Sequence, residues 1–503
     1  MTGSEAVDVR VSSDVPAGAT LCRPVFADGG PADGRRLDEP SARFAALAGF
    51  AGARAQTCPV IAGDAVELLV GLGPRRSLSV DDAAAAVADA VRRLRHTDEV
   101  LAVVLDGFGR DLSGPDSVAD VAGRLAAAAV AAGYDYRRPA AARGPVQVVV
   151  VTGAPGADTA VARGRVVGAA MSLTRDLVNE PAVTMTPTHF VERARDVAHT
   201  AGLDIRVWGP DDIAEQRLGG LAAIASGSRQ PAYLIRLEHR GAEEGPATAL
   251  VGKGVMFDSG GLSLKSADYM VTMKIDMCGA ATVLGAMSAL AALGVRKRVR
   301  AYLPVTENMP GGAAVRPGDV AVMRNGLHVE IVNTDAEGRM ILADALAVAV
   351  DEGADRLVDV ASLTGACRVA LGTVVAGVMS NDEAWSDAVL AASARVGERM
   401  WPLPMIEEYK AQLTTPFADM RNLGQPVRPN EAGAIVAALF LREFTGGLPW
   451  VHIDMGGPAY HDVETASLAQ GSTGFGVRTL LSLVGEPDGS WPIERQGAGA
   501  ESA

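Results

Sequence analysis

The sequence predicts an α/β protein of two domains: a smaller N-terminal α/β domain, and a larger C-terminal one with a central, mostly parallel or mixed sheet flanked by helices. Three observations predict it. Short apolar, β-branched runs alternate with longer alanine-rich runs along the chain, as strands alternate with covering helices. At 503 residues with 48% hydrophobic content, the chain is long enough to bury two sizeable cores. The chemically demanding charged groups all fall in the second part, while the first 160 residues contain none of them.

Within residues 1–160, strands are expected at Val66–Val70, Val100–Leu105 and Val148–Val151, and helices at Asp81–Leu94 and Val118–Ala132. Ala157–Val178 then reads as one long helix. Further strands are expected at Ile205–Trp208, Ala232–Glu238, Thr248–Val251, Arg300–Val305, Leu357–Val360 and Val451–Ile453, with helical stretches between them. Such alternation gathers ligands where strand ends meet loops. Gly485–Ala503, rich in Gly, Pro, Glu and Ala, is expected to be mobile.

The most informative stretch is Val332-Asn333-Thr334-Asp335-Ala336-Glu337-Gly338-Arg339. Before it, Asn325-Gly326 between apolar residues carries the signature of a hairpin with a two-residue turn. After it, Met340 to Ala349 has the composition of a buried helix. Two carboxylates and a guanidinium thus sit between a strand end and a helix start, where loops on a rigid scaffold carry function. The competing reading is that Asp335 caps the helix and Glu337 favours its dipole.

A second cluster weighs against that competitor. The strand Ala249 to Val251 runs into a glycine-rich loop bearing Lys253, Asp258 and Lys265, and Asp276 follows just before an alanine-rich helix. Glycines admit a close ligand, and charges among such apolar neighbours are expensive to bury unless paired or metal-bound. A phosphate-binding loop is disfavoured, because Ala247 stands where its first glycine belongs and Gly254 where Ser or Thr is needed.

Asp258, Asp276, Asp335 and Glu337 can neutralise two divalent ions, and Lys253 can add a nitrogen ligand once a metal displaces its proton. Paired metals activate a water and polarise a carbonyl, the chemistry that amide hydrolysis needs. Lys265 and Arg339 then remain to face a developing oxyanion or a bound anion. For the lysines, ordinary ion pairs to the same aspartates are the alternative.

These residues resemble the cytosolic leucyl aminopeptidases of the M17 metallopeptidase family, through the Asn-Thr-Asp-Ala-Glu-Gly-Arg turn and the Gly-Lys-Gly…Phe-Asp-Ser-Gly-Gly…Lys loop. The resemblance extends through Arg175-Asp176-Leu177, Glu307-Asn308-Met309-Pro310-Gly311-Gly312, Leu363-Thr364-Gly365-Ala366, Asp419 with Asn422, and Trp450-Val451-His452-Ile453-Asp454. It implies that Lys253 and Asp276 bind the tighter metal, that Asp258 and Glu337 bridge both ions, and that Asp335 completes the exchangeable site. Lys265 would stabilise the transition state, and Arg339 would hold a bicarbonate serving as general base. Met273, Ser362 and Leu363 would shape the substrate pocket.

The resemblance further implies removal of N-terminal leucine and other apolar residues from short peptides by a homohexamer, with two divalent ions per subunit, Mn or Zn first and Mg or Co next. Residues 161–180 would connect the N-terminal domain to a catalytic domain at 181–485, followed by a flexible tail at 486–503. The family's pattern is departed from at Met256, Cys278 and Ser362, which leaves the leucine preference less secure than the chemistry. A Cys-Gly dipeptidase, a small-amide hydrolase and a non-catalytic DNA-binding or scaffold hexamer remain the alternatives.

The formal charge of −14 argues against a nucleic-acid partner. Arg92-Arg93-Leu94-Arg95 and Arg296-Lys297-Arg298-Val299-Arg300 are expected to be solvated faces. With no membrane-length apolar run and acidic residues near the N-terminus, a cytoplasmic protein is expected. Cys22, Cys58, Cys278 and Cys367 lack metal or redox spacing and read as reduced thiols, with Cys278 buried as a small apolar residue. His452 and His461 read as structural.

Overall fold

The computed structural model describes all residues except 1–6, 29, 34, 76–77, 96, 98, 106–116, 137–145, 242–244, 246, 425–430 and 486–503. The tail expected to be mobile at 486–503 therefore lies outside the described residues. The chain separates into two compact units, Met1–Asp176 with His461–Gly471, and Leu177–Tyr460 with Ser472–Ala503. The short return of 461–471 to the first unit has no counterpart in the sequence reading.

The first unit carries a sheet in the order Val7–Ser12, Val146–Val151, Val100–Val104, Thr20–Phe26, Ala65–Gly73 and Thr57–Ala62. Neighbours pair in parallel except at the last step. Helices Val80–Leu94 and Val118–Ala132 start at capping boxes, Ser79 with Asp82 and Ser117 with Asp120. Their apolar faces, including Val87, Val91, Val121 and Leu125, join the strand residues Val70, Val103 and Val148 in one core.

The first basic run is not a solvated face. Arg92 is 3% exposed, and its Nη1 donates to the carbonyls of Ala132 and Tyr134, which the sequence pattern gives no means of foreseeing. Arg93 is exposed and Arg95 half-buried. The second run also departs from expectation: Arg298 and Arg300 pair with the buried Glu238.

The second unit is built on a nine-stranded mixed sheet. At its centre Ala247–Gly252 lies between Val299–Asn308 and Ala354–Ala361, all parallel, with Trp450–Asp454 parallel to Ala354–Ala361. Tyr233–His239 and Asp204–Trp208 extend one side in antiparallel fashion. Helix Glu337–Asp351 is buried along nearly its whole length, as its Met340-to-Ala349 composition predicts, and packs its Ile341, Leu342 and Leu346 into the core with Leu357 and Phe440. This is the two-domain α/β fold the sequence predicts.

Candidate active site

Because the central strands run parallel, their carboxyl ends share one edge of the sheet. That edge delivers Lys253 just after Gly252, Asn308, Ser362 just after Ala361, and Asp454. Asp258 arrives on a strand of its own. Gly254–Asp258 pairs in parallel with Val299–Asn308, with Asp258 opposite Asn308, where a glycine-rich loop was expected. The backbones approach so closely that a Cβ at Gly254 would lie 2.6 Å from the Pro304 carbonyl oxygen, which is why a glycine here marks strand contact and not a loop. Asp276 sits in a short 3₁₀ turn, Met273–Met277, leading into helix Cys278–Ala289.

The acidic turn follows strand His328–Ile331. The hairpin before it differs from the two-residue turn expected. Met323 N donates to Leu327 O and Gly326 N to Met323 O, leaving a three-residue loop in which Gly326 takes φ 91°. Arg324 anchors that loop through its backbone N–H on Asp344 and its Nε on Asp351. Asp335 is not a helix cap: the cap position is Ala336, which makes no side-chain cap hydrogen bond.

Turn and strand ends bring the charged residues together. Lys253 Nζ lies 2.7 Å from Asp276 Oδ2 and 2.8 Å from Glu337 Oε1, and donates to Ser362 O at 3.2 Å. Lys265 Nζ is 2.7 Å from Asp258 Oδ2 and also pairs with Asp335 Oδ1. Carboxylate oxygens of Asp258, Asp335 and Glu337 lie within 4.8 Å of one another. A Cβ on Gly338 would meet Lys253 Cε at 2.5 Å, so only glycine lets the lysine pass the start of the helix.

The model of the cytosol aminopeptidase family's catalytic domain matches residues 172–481. The chain belongs to the cytosol aminopeptidase family. A probable cytosol aminopeptidase of Solibacter usitatus is 48% identical over 337 residues, 67% of this chain and 69% of that protein. Another from Koribacter versatilis is 38% identical over 436 residues, 83% of this chain and 84% of that protein. Among solved structures, the bottromycin maturation enzyme BotP in complex with Mn superposes with TM-score 0.82 at 38% identity, covering 93% of this chain and 99% of that one. A tomato leucine aminopeptidase mutant gives TM-score 0.82 at 28% identity, covering 95% and 96%. This cytosol aminopeptidase family member is a metal-dependent hydrolase that removes residues from peptide N-termini.

The charges of this cluster fit a divalent metal. Two lysines face four carboxylates, and the imbalance is visible in their protonation. Burial, then repulsion from Glu337, pushes Asp258 up to about 6. Burial likewise holds Asp276 and Asp335 above the ordinary carboxylate range, and each also feels Glu337. For Glu337 burial works in the same direction, but Lys253 and Lys265 outweigh it and hold the group low. Burial would lower both lysines, yet the surrounding carboxylates hold them above their usual value. Glu337 Oε2 is buried with no hydrogen-bond donor, and Asp276 Oδ2 meets Lys253 without hydrogen-bonding geometry. An unmet carboxylate oxygen within a net negative cluster of hard ligands suits small dications. Such ions would also take over the charge compensation that keeps Lys253 protonated.

Neutral residues hold this cluster in place. Asn308 Nδ2 donates to Asp258 Oδ1 at 2.8 Å and to Thr334 O at 3.0 Å, tying the two acidic segments together. Thr334 Oγ1 donates to Gly260 O and accepts from Ser263 N. Asn422, fully buried, accepts from the Val332 and Asn333 amides, donates to Asn333 O and receives Arg339 Nη1 on its carbonyl. Asn308 and Asn422 stand in the stretches that carry the family resemblance, but neutral amides announce no role in a sequence.

Arg339 is 5% exposed, and its Nε has no partner. Burial lowers it to about 10, against the pull of Glu337 and Asp454. Ser362 reaches the cluster directly, its Oγ donating to Asp276 Oδ1 at 2.8 Å. Leu363 donates its N–H to Asp454 and packs against the core, and Met273 is half-buried three residues before Asp276. All four cysteines are free and buried, and burial pushes Cys278 up to about 12, in keeping with an inert thiol. His452 is buried on Asp359, whose other oxygen accepts from Trp450 Nε1.

Proposed function

We propose that Lys253, Asp258, Asp276, Asp335 and Glu337 hold two divalent ions, with Asp258 and Glu337 shared between them, and that the enzyme releases leucine and other apolar residues from the N-termini of short peptides. The observation that carries this is the meeting of Asp258, Asp335 and Glu337 oxygens within 4.8 Å, with the buried Glu337 Oε2 lacking a hydrogen-bond donor. Bound there, the ions would supply Lewis acidity to a water and to the scissile carbonyl.

The chain's own residues do the rest. Lys265, once its carboxylate partners serve the metals, offers its ammonium to the oxyanion of the transition state. Arg339, with Nε unengaged, holds an anion at the cluster's edge, and bicarbonate in that place would act as general base. Met273, Ser362 and Leu363 bound the pocket for the first side chain. The proposal assigns catalysis to residues 181–485, reached from the N-terminal domain of residues 1–160 through the helix of 161–180. Mn or Zn is the expected ion, with Mg or Co as substitutes, since oxygen-rich sites discriminate weakly among them. A homohexamer in the cytoplasm completes the reading. Among the described residues no helix is long and apolar enough to cross a membrane.

The test is hydrolysis of leucine p-nitroanilide by metal-stripped protein with Mn, Zn, Co or Mg restored one at a time. Cleavage returning with metal supports the proposal and identifies the ion. No cleavage with any metal, or cleavage of Cys-Gly alone, would overturn the assigned substrate.

A further inference from the structure

A cavity of about 240 Å³ opens in the first unit beside the basic run, lined by Asp89, Arg92, Arg93 and Arg95 and closed by Thr57 and Glu464. Two of its guanidiniums are committed. Arg92 and Arg95 both pair with Asp135 and Glu464. Two of its charges are not. Asp89 is 6% exposed, yet it has no hydrogen bond or ion pair to any described residue. Arg93, one helical turn further on, has none either and is exposed. Acid and base four residues apart on a helix ordinarily close into a pair, whereas these two stay apart along the cavity.

A buried carboxylate without a partner calls for an explanation, because its desolvation is uncompensated. Burial alone pushes Asp89 up to about 6, with no neighbouring cation offsetting it. An anionic ligand would satisfy Arg93 and leave Asp89 worse off. A cationic ligand would satisfy Asp89 and meet three guanidiniums. A ligand that carries both charges satisfies both at once.

We propose that this cavity binds a free α-amino acid, its ammonium on Asp89 and its carboxylate on Arg93. The side chain lies toward Ala55, Thr57 and Ala466, in a space that favours small and medium residues. If the peptidase reading also holds, the protein carries a site for the class of molecule it releases, apart from the residues that do the chemistry.

The test is calorimetric titration of the full-length, metal-loaded protein with glycine, L-alanine and L-leucine, in the wild type and in Asp89→Asn and Arg93→Gln. Neither residue belongs to the metal cluster, so peptide hydrolysis should be unchanged and any binding at the active site should appear equally in all three proteins. The expected result is one binding component per chain in the wild type, beyond any shared equally by the three proteins, weakened at least about tenfold in each variant, the scale of one charge-assisted hydrogen bond. Arg93→Gln changes an exposed side chain and keeps the test alive if Asp89→Asn does not fold. Identical isotherms in the three proteins would overturn the proposal. So would acetate binding as tightly as the amino acids and indifferently to Asp89→Asn, which would make this a plain anion site. Loss of hydrolysis, read separately, bears only on the peptidase reading.

Discussion

Two buried charge clusters in the second unit have opposite character. Around Glu238, 5% exposed on strand Tyr233–His239, one carboxylate meets Arg298 at 2.5 Å and Arg300 at 3.3 Å, with Arg236 at 3.9 Å. Burial would raise that carboxyl, but the Arg298 and Arg300 partners prevail and hold it low. Around Glu337, four carboxylates share two lysines, and three of them are held above their ordinary range. The first cluster is complete as it stands. The second has more carboxylates than cations, the imbalance a metal site would use and a structural ion network would not need.

The largest test of this contrast is Glu337→Gln, which keeps the shape and removes the charge. Metal content by elemental mass spectrometry should fall, and hydrolysis should drop by at least ~10³-fold, beyond the loss expected for one oxyanion donor. A variant that kept both its metal and its rate would show that Glu337 is only a counter-ion for Lys253. Next in size is Lys265→Ala. If this lysine serves the transition state, metal content should hold while kcat falls by ~10²–10³-fold, equivalent to about 2.7–4 kcal/mol. Retained activity would mean that Lys265 does no more than neutralise Asp258 and Asp335.

Part of this contrast was legible in the sequence. Asp335, Glu337 and Arg339 stand within five residues of one another, and so dense a group at a strand-to-helix junction has few structural uses. The central strands were legible from β-branched runs such as Val451–Ile453, because burial on both faces demands them. Gly254–Asp258 was hidden by its own glycine: the feature that lets the strand approach Pro304 also reads as a loop. Arg92 misled for a different reason. Two of its acceptors, the carbonyls of Ala132 and Tyr134, are about forty residues away and belong to the backbone, which carries no sequence signal, and its acidic partners Asp135 and Glu464 are at least as distant along the chain. The same holds for Asn308 and Asn422, whose importance lies in what the fold brings to them.

Ser362 sharpens the comparison at the level of a single hydroxyl. It lies beside the expected pocket, yet its Oγ donates to Asp276 Oδ1. Ser362→Ala should therefore weaken metal binding by ~10–100-fold, the usual effect of removing a group that orients a ligand. Ser362→Thr, which keeps the hydroxyl, should restore affinity. If Ser362→Ala instead left metal affinity intact and altered only the KM ranking of peptides with different first residues, the side chain would belong to the pocket alone.

The smallest effect is expected at the complete cluster, and it should fall on stability and not on catalysis. Glu238 has its folded carboxyl held below the ordinary 4.5. A group depressed in this way contributes stability that is full above the unfolded value and is lost as pH falls through the folded one. Wild-type unfolding free energy should therefore decline below about pH 4.5, and Glu238→Gln should flatten that part of the acid limb. At neutral pH the variant should lose only about 1 kcal/mol, since Arg298 is partly exposed and water screens the pair. Metal content and peptide hydrolysis should not change. A fall in metal affinity on Glu238→Gln would mean that the two clusters are coupled through strand Val299–Asn308, which carries Arg300 at one end and Asn308 at the other. The separation between structural and functional charge would then be one of degree.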